Sequence, residues 1–216
     1  MCKIMIHRIK SILTELGFCA KDVESVSQDI FDAYTSAERC YHNINHILKM
    51  LNNFDDFIRC SGCKTVLKNI NEFAFAIIMH DYVHGTTDDV NDSAQKAKEF
   101  LHKISLAYDT GYVENLIRAT DYNKCLKTDF DGQLMQDLDL NTLGSDYAEY
   151  NEYSNQIRRE YIQYPDSVFY KERVNVLKTF LNRRYIYNTK YYRDNYECAA
   201  RNNIAKELSN IVSGKN

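Results

Sequence analysis

FAFAIIMHDYVHG, residues Phe73 to Gly85, is the stretch whose reading decides the fold. The run through Phe73, Phe75, Ile77, Ile78 and Met79 leaves almost no polar face, so a helix made from it has to be enclosed by other elements. It leads straight into His80-Asp81, and His84 follows four positions after His80. A titratable pair therefore sits at the edge of a buried helix. An unpaired buried carboxylate is costly, so Asp81 is expected to keep a cation, a metal or several donors close by. For the dipeptide alone, a His-Asp hydrogen bond at a helix end is the better account.

Working outward, the rest of the chain supplies the enclosure. Its 216 residues suffice for one domain with a sizeable core, and 44% hydrophobic with 26% charged residues is ordinary for a globular protein. Glycine occurs seven times and proline once, at Pro165, so long helices with short joints are expected. No alternating β-branched runs occur. The expected fold is an all-α, single-domain helical bundle spanning residues 1–216. Its helices are predicted near 3–17, 22–34, 39–57, 65–84, 93–108, 112–120, 131–142, 146–163, 168–186 and 194–212. In the first, Ile9, Ile12, Leu13 and Leu16 share a face and Gly17 ends the helix. There is no internal repeat and no flexible linker. Seventeen tyrosines and no tryptophan point to rings at helix-packing boundaries with their hydroxyls in water.

A net charge of −3 gives no reason to expect nucleic-acid binding. The pairs Arg158-Arg159 and Arg183-Arg184 read as solvated helix faces, with contact to a substrate phosphate the lesser alternative. No apolar stretch approaches the roughly 20 residues of a membrane span, and the N-terminus lacks the form of a secretory signal. A cytoplasmic location is expected. Seven cysteines, an odd number, argue against a disulfide framework, and Cys60 and Cys63 form a lone CxxC best read as two free thiols. The Tyr-rich C-terminal end leaves a homodimer open.

Two more segments carry chemistry. In YHNINH, Tyr41 to His46, the two histidines are four apart, a spacing that would put both imidazoles on one face of a helix. In MQDLDLNTLG, Met135 to Gly144, Asp137 and Asp139 alternate with leucines, and on a helix at most one of them can face the way its apolar neighbours do. Four of the six histidines thus fall within residues 42–84. Imidazoles with carboxylates form a mixed N/O set suited to Mn²⁺, Fe²⁺, Zn²⁺, Ni²⁺ or Mg²⁺.

His46, then His80-Asp81, then a distant Asp139 resembles the H…HD…D signature of the HD superfamily of metal-dependent phosphohydrolases. YHNINH followed by HDYVHG is similar to the YHNxxH…HDxxHxG arrangement of class I cyclic-nucleotide phosphodiesterases in that superfamily. Over roughly residues 20–210, segments such as YTSAERCYHNINHILKML, HDYVHGTTDDVNDSA and DLDLNTLG resemble a group of small bacterial-type HD phosphohydrolases. The resemblance implies an HD-type bundle holding one or two divalent ions (Mn, Mg, Fe, Ni, Co or Zn) and acting on a small phosphorylated compound, a nucleotide foremost. It makes His46, His80, Asp81 and Asp139 the metal ligands, with Asp81 able to bridge two ions and Asp137 the competing acid. It gives His42 the role of proton donor to the leaving oxygen and puts His84 beside metal-bound water or phosphate. The chain departs from the group in carrying His84 where a Tyr is frequent, and in lacking a His near Asn123. The alternatives are an HD-type di-iron oxygenase and a helical binding or regulatory protein without turnover.

Overall fold

A computed structural model describes residues 2–61, 67–103, 108–122, 124 and 128–214. Among them are ten α-helices, a 3₁₀ turn and no strand, so the all-α expectation holds. No helix among the described residues is long and apolar enough to cross a membrane. The chain forms two compact units, Met1–Met135 and Gln136–Asn216.

The first unit contains α1 (Cys2–Glu15), α2 (Ala20–Tyr34), α3 (Ile44–Ser61), α4 (Ile70–Met79), α5 (Asp89–His102), α6 (Thr110–Arg118) and the start of α7 (Phe130–Asp139). Its centre is α4, which packs against α1, α3, α5 and α6. Every residue from Glu72 to Met79 is buried, as a helix without a polar face requires. Phe73 stacks on Phe54 of α3 with ring centroids 4.6 Å apart. Burying each such ring contributes about 1.5–3 kcal/mol. Helix α1 ends as its sequence dictates: Gly17 takes a left-handed φ of +83°, and the Phe18 amide reaches back to the Leu13 carbonyl.

Both helices that carry the histidines are shorter than expected. Helix α3 begins at Ile44 rather than near residue 39, because the Asn43 side chain organises the turn before it. Its Oδ1 accepts the Asn45 amide at 2.8 Å, and its Nδ2 donates to the carbonyls of Cys40 and Arg39. Helix α4 begins at Ile70, where Asn69 accepts the amides of Asn71 and Glu72, and stops at Met79 instead of running to residue 84. At its end the His80 ring donates from Nδ1 to the Ile77 carbonyl at 2.9 Å, taking up a carbonyl of the last turn.

The second unit contains the end of α7, a 3₁₀ turn (Leu140–Gly144), α8 (Tyr147–Glu160), α9 (Asp166–Asn182) and α10 (Lys190–Ser213). The 3₁₀ turn lies so close to α10 that a Cβ on Gly144 would stand 2.7 Å from the Tyr196 Cβ. Asn203 of α10 donates to the carbonyls of Leu143 and Ser145. Two expectations are corrected here. Tyr150, Tyr187 and Tyr192 are wholly buried, and the hydroxyls of Tyr150 and Tyr187 bond to Glu207 and the Leu140 carbonyl rather than to water. Arg158 is no solvated side chain: it bonds Asp166 and the carbonyls of Tyr161 and Tyr164 and covers the Phe169 ring. Arg159 is exposed and pairs with Glu152.

Candidate metal centre

His46, in the first turn of α3, and His80, at the end of α4, are buried and turn their Nε2 atoms towards each other at 3.3 Å. The carboxylate of Asp81 closes the group, its Oδ2 lying 2.9 Å from His80 Nε2 and 3.7 Å from His46 Nε2. Oδ2 is sealed from solvent and has no hydrogen-bond donor, although His80 Nε2 stands 2.9 Å away. Two nitrogens and one oxygen thus lie within 3.7 Å of one another.

The tautomer follows from elementary chemistry. A carbonyl oxygen only accepts, so the proton of a neutral His80 ring is on Nδ1, bonded to Ile77, and its lone pair is on Nε2. That lone pair faces the acceptor oxygen of Asp81, which is unfavourable for a hydrogen-bonded pair and right for two ligands of one cation. Burial pushes the Asp81 carboxyl up, but the electrostatic influence of the adjoining His80, His42 and His46 rings outweighs it. The group is held well below the ordinary carboxylate range. Asp81 is anionic at neutral pH, as a metal ligand must be.

His42 and His84 flank this group. His42 lies in the segment before α3, so the expected helical face shared with His46 does not exist. The two rings are nonetheless neighbours, with centroids 6.0 Å apart. His84 lies beyond the end of α4, its ring centroid 5.1 Å from that of His42 and its Nδ1 3.7 Å from Asp89 Oδ2. Five residues named from sequence, His42, His46, His80, Asp81 and His84, therefore gather in the first unit.

The two candidate acids of the DLDL segment belong to the second unit. Asp137 is fully buried, and its carboxylate accepts the amides of Asn188 and Thr189, each at 2.7 Å. Burial pushes it up to about 6 although those bonds pull the other way. Asp137 anchors the start of α10. Asp139, the last residue of α7, is half-buried. Cys60 is exposed and unpaired, while Cys63 and Asn123 lie outside the described residues.

Two residues at the centre went unnoticed in the sequence. Arg39 donates to the carbonyls of His42, Asp81 and Tyr82. The Tyr34 hydroxyl is buried without a hydrogen-bond partner, and burial followed by the Asp81 charge raises its pKa well above the usual phenol value. Neither position has a sequence signal beyond lying near YHN.

No protein-family model matches the chain, and no curated protein or solved structure matches it either.

Proposed function

We propose that the protein is an HD-type metal-dependent phosphohydrolase that cleaves a phosphate ester or anhydride of a small molecule, a nucleotide foremost. The observation that carries the proposal is the convergence of His46 Nε2, His80 Nε2 and an undonated, buried Asp81 Oδ2, with two more imidazoles alongside. These three residues would hold a divalent cation. When bound, such an ion lowers the pKa of its water and neutralises phosphoryl charge.

The chain's own groups have separate tasks. His80 is kept in its ligating tautomer by the Ile77 carbonyl. Asp81 supplies the negative charge. His42, beside the ligand set but not part of it, donates a proton to the leaving oxygen, a role to which an imidazole is suited. His84 contacts the phosphate or the water. The unpaired thiols of Cys19, Cys40, Cys60 and Cys198 agree with a reducing, cytoplasmic setting.

Purified protein assayed for phosphate release across nucleotides and sugar phosphates with Mn²⁺, Mg²⁺, Ni²⁺ and Co²⁺ tests the proposal. Release that stops with chelator is expected. His42→Ala should lower turnover by about 10²–10⁴-fold with metal content unchanged. Bound iron and oxygen consumption without phosphate release would favour the oxygenase alternative instead. A protein with neither activity would be a binding protein.

A further inference from the structure

Arg39 is 8% exposed, yet among the described residues its guanidinium bonds carbonyl oxygens and no carboxylate. Nη1 donates to His42 O at 3.1 Å and to Asp81 O at 2.6 Å, and Nη2 to Tyr82 O at 2.8 Å. The group lies over the Tyr34 ring, 4.8 Å from its centroid. The chain uses similar forks elsewhere with a difference. Arg158 and Arg201 also gather main-chain carbonyls at and beyond helix ends, but each takes a carboxylate as well, Asp166 and Glu197. A buried guanidinium without an anionic partner carries a desolvation cost. Here that cost falls where two segments some forty residues apart, one bearing His42 and the other Asp81, have to be held together.

We propose that Arg39 is a positioning residue that registers His42 against Asp81, and through them the candidate ligand set. This inference rests on the metal-centre reading above. The guanidinium is planar and its donors are rigidly disposed, so three carbonyls bound to one fork are fixed relative to one another. Lysine offers a point charge on a flexible stem and cannot reproduce that geometry. Loss of the fork frees the His42 and Asp81 main chains from each other without removing either side chain.

The full chain carrying Arg39→Met or Arg39→Lys is compared with wild type and with Arg201→Met, the matched fork outside the centre. Two readouts are taken: imidazole NMR resonances in chelator, and Mn²⁺ affinity by calorimetry. In Arg39→Met the resonances of His42 and His80 should move while those of His7 and His102 stay. Mn²⁺ affinity should fall about 10–100-fold, the usual consequence of losing an outer partner of a metal site. Arg39→Lys should fall between, and it carries the same two readouts should Arg39→Met fail to fold. Arg201→Met should match wild type in both. Unmoved resonances with unchanged affinity in a folded Arg39 variant would overturn the inference, as would an equal loss in Arg201→Met. Absence of Mn²⁺ binding by the wild type would instead overturn the metal reading, and the imidazole resonances, taken without metal, would still decide the role of Arg39.

Discussion

The Glu207 carboxylate in the second unit and the Oδ2 of Asp81 in the first are both shut away from water, but their surroundings differ. Around Glu207, Arg173 bonds both carboxylate oxygens, at 2.8 and 3.1 Å, while Ser154 donates to one and Tyr150 to the other. Burial alone would raise its pKa, and the Arg173 bonds and charge, with Tyr150 and Ser154, more than reverse that. Around Asp81, one oxygen has no hydrogen-bond donor, and the nearest nitrogens are the Nε2 atoms of His80 and His46. A buried polar cluster whose acceptors all have donors is complete in itself and serves the fold. One whose acceptors converge without donors is complete only with a cation. Enclosure and charge are common to both; hydrogen-bond satisfaction separates a structural network from a candidate site.

The contrast can be broken first in the second unit. Arg173→Met leaves Glu207 buried without its cation and should cost about 3–5 kcal/mol in denaturant unfolding, whereas Arg173→Met with Glu207→Leu should recover most of that loss. A single variant as stable as wild type would mean that the network is not closed in the way its distances indicate. A smaller effect is expected from metal. Mn²⁺ at a hundred times its dissociation constant should stabilise the wild type by about 2.7 kcal/mol. The gain should vanish in His80→Ala and persist in Glu207→Gln. Stabilisation that survives His80→Ala would put the ion elsewhere.

The smallest effect concerns acid. A carboxyl whose folded pKa is depressed contributes stability that is fully present above its unfolded value, here the ordinary 4.5, and is lost as pH falls through the folded value. The stability difference between wild type and Glu207→Gln should be constant above about pH 5.5 and shrink below about pH 4.5. A difference that grows on acidification would reverse the assignment.

How much of this was legible in the sequence differs from element to element. The burial of α4 could be read because a run from Phe73 to Met79 has no polar face to give to water. The gathering of the histidines was anticipated through a geometry that the backbone does not adopt. Spacing of four suggested shared helical faces, but Asn43 starts α3 after His42, and His80 closes α4 with its own ring. The histidines meet because loop turns, not helical turns, bring them together. Between Asp137 and Asp139 the periodicity rule let at most one face inward, without saying which. The inward one is Asp137, held by amides some fifty residues away. Arg39 was invisible for the same reason, since its partners are main-chain carbonyls and carry no sequence signature. Hydroxyls such as that of Tyr150 were expected in water because a partner like Glu207, distant in sequence, cannot be foreseen from the ring alone.

Calorimetric titration of Mn²⁺ into metal-free wild type and into Asp81→Ala tests the central claim most directly. Saturable binding by the wild type and none by the folded variant is the predicted result. Equal binding by the two proteins would contradict a centre built on His46, His80 and Asp81.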